Sequence, residues 1–403
     1  MSKTPFFITI ARPTYGAYLL RHHGIQTNGM EILNQLEAPY LVLGNHSHVF
    51  DPFFISAAAN VHIRWVSGAY LFKLHGLKTM LGKWIGGIPK QQGRSDLQTI
   101  RLISEAFKRG EIVGLFPEGT RTWDGEPVGF DEATAKLAKI FKVPIVVVNL
   151  EGVYALKPRW ANKRRKGTAT IHVLPPLMSE TIASMKRSQI NAYLKQAINF
   201  SHREWQEKHH QSFKGKAQSE GIERVLYTCP SCLHHSTIEA KKDLISCTHC
   251  GLTIRLDEYD HLINIKGENP FQDVAQWHAW ERKNLEQIMQ VSNDGQNIFP
   301  PDKGVLYQIG IDNNLVTLSK SFALTVNQKG MTLRKTGKFR APEITFFSFA
   351  TMQSMIINAK STLEFYCADV LYRIRIYKNG SILKYVESYQ ASRQAQRSEE
   401  VHT

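Results

Sequence analysis

Short, wholly apolar runs alternate with stretches of helical periodicity through the first 180 residues, and few folds accommodate that pattern. Pro39-Tyr40-Leu41-Val42-Leu43-Gly44 reads as one buried strand, Glu111-Ile112-Val113-Gly114-Leu115-Phe116 as a second, and Val143-Pro144-Ile145 opens a third. A strand with no polar alternation is covered on both faces, which places it inside a sheet. Pro52 to Ala59 reads as a helix directly after the first strand, and Leu97 to Lys108 as an amphipathic helix before the second. The expected class is α/β, a central β-sheet flanked by helices.

Two motifs fall where such strands end. In Asn45-His46-Ser47-His48-Val49-Phe50-Asp51, a histidine stands five positions before an aspartate on a strand-to-helix turn, where functional groups of α/β proteins gather. Histidine accepts a proton near neutral pH, and an acceptor on its second nitrogen fixes tautomer and ring direction. Asp51 directly before Pro52 equally suits a helix N-cap, and His48 competes with His46 for the role of base. The second motif is Phe116-Pro117-Glu118-Gly119-Thr120-Arg121. Gly119 frees the backbone for close approach of amide N–H groups to an anion, and Arg121 offers a planar fork for phosphate. Glu118, unsuited to phosphate, is expected to orient Arg121 or a glycerol hydroxyl. A tight turn with a surface arginine is the plainer alternative.

Together these residues make the sequence resemble the phospholipid/glycerol acyltransferase family, in particular its lysophosphatidate acyltransferase type. His-x4-Asp matches His46 and Asp51, Phe-Pro-Glu-Gly-Thr-Arg matches residues 116–121, and the apolar strand opening Val-Pro-Ile matches Val143-Pro144-Ile145. The resemblance covers roughly residues 30–180. It implies an O-acyltransferase (1-acylglycerol-3-phosphate acyltransferase-like) with His46 as general base, oriented by Asp51, on a hydroxyl of a lysophospholipid such as lysophosphatidic acid. The donor would be an acyl thioester, acyl-coenzyme A or acyl-carrier protein, with no covalent acyl-enzyme. Glu118, Gly119, Thr120 and Arg121 would bind substrate. The second family block usually ends in an arginine, but Gly87-Ile88-Pro89-Lys90-Gln91-Gln92-Gly93-Arg94 carries Gln92 there, leaving Lys90 and Arg94 as substitutes. Val147 stands where the fourth block often has a second proline. Glycerol-3-phosphate or another hydroxyl acceptor, and a non-catalytic lipid-binding scaffold, are the alternatives.

The formal charge of +15 over 403 residues is uneven. Residues 1–215 hold 28 Lys/Arg against 15 Asp/Glu, residues 216–300 hold 8 against 12, and residues 301–403 hold 14 against 8. The densest cluster, Lys157 to Lys166, has six basic residues in ten and reads as a loop. Beyond a solvated turn, it suits contact with anionic lipid headgroups, with Trp160 at the interface. No apolar stretch approaches the ~20 residues that span a bilayer, and no signal peptide is evident. Met1 to Arg21 is rich in aromatic and aliphatic residues interrupted by Pro13, and packing against the domain is its expected role. A cytoplasmic protein, peripheral to the cytoplasmic face of a membrane, fits these features.

Five cysteines are too few and too clustered for a disulfide framework. Cys229-Pro230-Ser231-Cys232 and Cys247-Thr248-His249-Cys250 are C-x2-C pairs separated by fourteen residues. Two such turns complete a tetrahedron around Zn²⁺, with all four positions filled by sulfur, so the expectation is structural zinc in a zinc ribbon. The segment's net negative charge opposes nucleic acid as a partner.

The expected domains are an acyltransferase domain over 1–215, with a polar linker Lys214 to Ser219, and a zinc ribbon plus helix over 216–295. A β-rich module over 296–403 ends in a helix from about Ser381 to Arg393. Meandering strands before one terminal helix resemble pleckstrin-homology or GRAM modules, which implies a protein or lipid partner.

Overall fold

The computed structural model describes residues 4–73, 77–90, 96–291, 295–310, 314–335, 343–377 and 380–402. The chain forms two compact units: Met1–Arg159 with Arg164–Gly215, and Trp160–Lys163 with Lys216–Thr403.

Seven strands form the sheet of the first unit: β1 (Ile25–Asn28), β2 (Leu41–Gly44), β3 (Ile63–Gly68), β4 (Ile88–Lys90), β5 (Ile112–Leu115), β6 (Ile145–Glu151) and β7 (Ala169–Val173). Their order is β1-β7-β6-β2-β5-β3-β4. The pairing is parallel throughout except between β6 and β7. Alternate side chains of the central strand go to opposite faces. Tyr40 and Val42 pack with Phe54 and Ile55 of the helix Asp51–Ala58, while Leu41 and Leu43 pack with Ile103 of Leu97–Lys108 and Leu194 of Arg187–Ile198. Each such side chain contributes about 1.5–3 kcal/mol by leaving water. Coverage on both faces is why these strands read as unbroken apolar runs.

The N-terminal segment packs by one side. Leu19 is buried, and a Cβ on Gly16 would meet that of Ala57 at 3.1 Å, whereas Phe6, Ile10, Tyr15 and Tyr18 stay exposed. Among the described residues no helix is long and apolar enough to cross a membrane.

The second unit contains two antiparallel sheets. The smaller has β8 (Ile238–Lys241), β9 (Leu244–Cys247), β10 (Thr253–Leu256) and β11 (Leu262–Lys266) in the order β11-β10-β9-β8. The larger has β12 (Asp302–Ile309), β13 (Leu315–Asn327), β14 (Gly330–Lys335), β15 (Ile344–Ser348), β16 (Met352–Ala359), β17 (Thr362–Cys367) and β18 (Val370–Ile376) in the order β15-β14-β13-β12-β18-β17-β16. The helix Leu383–His402 follows. Leu285 and Met289 of the helix Val274–Val291 share one core with Phe322, Leu324, Phe365, Ile374 and Tyr385.

Two local expectations are corrected. Residues 214–219 are not a free linker, because Gln218 and Ser219 are buried and Ser219 N–H donates to Lys242 O at 2.8 Å. The basic loop is not a uniformly solvated surface either. Arg159, Trp160 and Arg165 are 6%, 1% and 2% exposed, so the Trp160 indole is not available to a membrane interface. Its carbonyl accepts Arg224 Nη1 at 2.7 Å, one of the contacts that hold this backbone inward.

Candidate active site

Because β2 and β5 are parallel neighbours, with Leu43 opposite Leu115, their C-terminal ends emerge side by side. That juxtaposition brings the two sequence motifs together. His46 lies just past β2, and its Nδ1 is 2.8 Å from Asp51 Oδ2. The same oxygen accepts the backbone N–H groups of Ser47 and His48, each at 2.8 Å. The helix begins at Asp51, but no side-chain cap forms at its N-terminus. The carboxylate instead points back into the turn it follows, which corrects the N-cap alternative. Asp51 is fully buried and the His46 side chain is 21% exposed.

Since Asp51 Oδ2 accepts, Nδ1 of His46 carries the proton and Nε2 is the acceptor. Burial holds the imidazole below its ordinary value of 6.5, with the hydrogen bond and charge of Asp51 acting in the other direction. It is therefore neutral at pH 7 and able to take a proton. His48 is not its equal: the ring is 2% exposed, its Nδ1 accepts Phe50 N–H at 3.1 Å, and burial pushes its pKa down to about 4.

Two rings set the plane of His46. Phe116 stacks on it at 4.3 Å and 15°, and Trp65 stacks on Phe116 at 5.0 Å and 9°. Trp65 is fixed by donating Nε1–H to Ser56 Oγ at 2.8 Å. Asn45 clamps the end of β2 to β6, accepting Leu150 N–H at 2.7 Å.

Glu118 departs from expectation. Its Oε1 accepts His46 N–H at 2.9 Å and its Oε2 accepts Val128 N–H at 3.1 Å, so it holds backbone rather than Arg121. Burial pushes its pKa up to about 7, against the two N–H groups. Gly119 has φ of +68° and open space where a Cβ would stand, so conformation rather than crowding calls for glycine there. Its N–H closes the turn on Phe116 O at 3.1 Å.

Arg121 feels the charge of Asp51 and in turn acts on His46. Thr120 Oγ1 accepts Arg159 Nη1 at 2.8 Å, and Arg121 O accepts the same nitrogen at 2.8 Å. Arg159 is thus a site residue that sequence reasoning assigned to a lipid-facing loop. Its one distinguishing mark in the run is a place between Pro158 and Trp160 rather than among other charges. Lys90 ends β4 with an exposed side chain. It is three strands from β2, about 14 Å at ordinary strand spacing. Arg94, like Gln92, lies outside the described residues.

In the second unit the four cysteines converge. Sγ of Cys229 is 3.7 Å from that of Cys250, Cys232 is 3.7 Å from Cys247, and all four sulfurs lie within 4.8 Å of one another. Gly251 leaves the second pair with φ of +78°.

A buried carboxylate, an imidazole with an acceptor nitrogen and a flanking guanidinium can deprotonate a hydroxyl on an anionic molecule. Residues 24–151 match the sequence profile of the family described as Acyltransferase. The 1-acyl-sn-glycerol-3-phosphate acyltransferase of Bacillus subtilis (strain 168) is 26% identical over 188 residues, 43% of this chain and 90% of that protein. The chloroplastic 1-acyl-sn-glycerol-3-phosphate acyltransferase BAT2 of Brassica napus is 26% identical over 132 residues, 32% of this chain. This chain spans 38% of the length of the Brassica protein. The crystal structure of the 1-acyl-sn-glycerophosphate (LPA) acyltransferase PlsC from Thermotoga maritima aligns with a TM-score of 0.43 and 19% identity, covering 50% of this chain and 79% of that one.

Proposed function

We propose that this chain is an O-acyltransferase that moves a fatty acyl group from an acyl thioester to a free hydroxyl of a lysophospholipid such as lysophosphatidic acid. The observation that carries the reading is the 2.8 Å contact of His46 Nδ1 with Asp51, inside the stretch that matches the Acyltransferase family. Nε2 of His46 takes the hydroxyl proton as the oxygen attacks the thioester carbonyl carbon. The new C–O ester bond forms, the C–S bond breaks, and the proton on His46 passes to the departing thiolate. No side chain is acylated. Base catalysis of this kind is worth ~10²–10⁴-fold, and positioning of the two substrates supplies more. Arg121 takes the phosphate end of the acceptor, on the turn that Glu118 ties to the His46 backbone.

The remaining residues support three additions. Tetrahedral Zn²⁺ with Zn–S bonds of about 2.3 Å requires neighbouring sulfurs about 3.8 Å apart, and the cysteine pairs at 3.7 Å fit that spacing. Residues 216–295 are therefore read as a zinc ribbon with its helix, holding a structural ion in Cys229, Cys232, Cys247 and Cys250. Seven antiparallel strands and a terminal helix support a pleckstrin-homology/GRAM-like module over 296–403. The exposed aromatic side of the N-terminal segment, with Phe7 against Trp84 at 5.2 Å, supports peripheral contact with the cytoplasmic face of a membrane. The acidic ribbon segment argues against nucleic acid.

A donor-by-acceptor matrix with the purified chain tests the reading. Acyl-coenzyme A and acyl-carrier protein are run against lysophosphatidic acid, glycerol 3-phosphate and a monoacylglycerol. Preferred transfer to lysophosphatidic acid is expected. Transfer to glycerol 3-phosphate alone reassigns the acceptor, and transfer with no pair leaves a non-catalytic lipid-binding scaffold.

A further inference from the structure

The stretch that resembles the second family block carries Gln92 where an arginine is usual; of its two basic neighbours, Lys90 sits exposed at the far edge of the sheet and Arg94 lies outside the described residues. Arg159 does reach the site, from 38 residues beyond Arg121. We propose that Arg159, acting with Arg121, anchors the phosphate of the acceptor; the inference rests on the function proposed above.

Three features carry it. First, the guanidinium is oriented before any ligand arrives. Nη1 donates to Thr120 Oγ1 and to the Arg121 carbonyl, and the group lies over the Trp123 ring at 4.4 Å. A fork already held by a ring face and two acceptors loses little freedom on gripping a phosphate. Second, Arg159 is 6% exposed, and burial reinforced by repulsion from Arg121 pushes its pKa down to about 9. Two cations that burden each other in a poorly solvated corner gain from a dianion between them. Third, Arg159 grips the turn that carries Arg121, and Glu118 of the same turn accepts His46 N–H at 2.9 Å, so a phosphate held there stands close to the base.

Arg159→Gln is expected to raise the KM for lysophosphatidic acid about 10- to 100-fold, the worth of one or two charged hydrogen bonds. The KM for the acyl donor is expected to rise less than that for lysophosphatidic acid, and a neutral monoacylglycerol to lose less than the phosphorylated acceptor. Arg159→Lys recovers part of the loss, because an ammonium keeps the charge without the fork. An unchanged KM, or equal losses with phosphorylated and neutral acceptors, overturns the proposal. Calorimetric titration of the full chain with glycerol 3-phosphate gives an answer independent of turnover. Binding by the wild type that Arg159→Gln loses upholds the anchor even where no acyl transfer is found, which separates its fate from that of the proposed reaction. Equal binding by both, or none by the wild type, overturns it. A thermal melt checks folding, and if Arg159→Gln does not fold the comparison is made with Arg159→Lys.

Discussion

Glu118 Oε1 accepts the backbone N–H of His46 at 2.9 Å, joining the turn after β5 to the turn after β2. The carboxylate fixes where the imidazole starts, not which way it points. Replacing Glu118 with alanine leaves a buried N–H without an acceptor, a cost of about 1–3 kcal/mol. Glu118→Ala is expected to lower the melting temperature and kcat together, with a smaller change in acceptor KM.

The same carboxyl sets a pH limb. With its pKa near 7, Glu118 gains a proton as pH falls through neutrality, and a protonated carboxyl has less acceptor capacity for its two N–H donors. Transfer is expected to fall on the acid side of about pH 7. Glu118→Gln, which lacks that capacity at every pH, is slower throughout and loses the limb near 7. The limb that remains belongs to His46 and lies below 6.5. A kcat profile from pH 5 to 9 reads both.

Asp51 gathers three N–H donors on one oxygen. Asp51→Asn removes the charge and, wherever its amide nitrogen turns toward His46, offers the wrong tautomeric partner. A loss of kcat on the order of 10²–10⁴ is expected, with the fold retained by circular dichroism. The acid limb of His46 moves lower still, because Asp51 is the group that raises its pKa.

The contact between His46 and Asp51 was legible because five residues span one strand-to-helix turn, a local matter. The helix Leu97–Lys108 was legible from its periodicity, and the cysteine site from its spacing. The partner of Glu118 was not, since it depends on β5 lying beside β2, which no local pattern states. Arg159 was hidden for a related reason: a basic run says nothing about which of its members folds inward. In the second unit, polar Ser319-Lys320-Ser321 separates the apolar runs Leu315 to Leu318 and Ala323 to Val326. They form one strand of 13 residues, whose ladder with β12 shifts register near Leu306. β8, β11, β15 and β16 are carried by short or mixed sequences that the sheet itself stabilises.

Gly114 tests the ring stack. A Cβ there would stand 2.6 Å from Trp65 Cε3 and 2.8 Å from Ile63 Cγ2, so Trp65 must move. Because Trp65 supports Phe116 and Phe116 supports His46, Gly114→Ala is expected to cost about 1–3 kcal/mol in denaturant unfolding and to slow transfer. Full stability and full activity would show that the stack tolerates displacement.

The sulfur cluster predicts one zinc per chain by mass measurement under non-denaturing conditions. Cys229→Ser is expected to lose the ion and to destabilise the second unit, whose β9 carries Cys247. A chain purified without any bound metal, and unaffected by that substitution, would remove the zinc.

The most direct test is the rate of acyl transfer by His46→Ala beside the wild type, with circular dichroism confirming the fold of both. Transfer to lysophosphatidic acid is expected to be abolished while the melting profile survives. Wild-type turnover in a folded His46→Ala chain would contradict it.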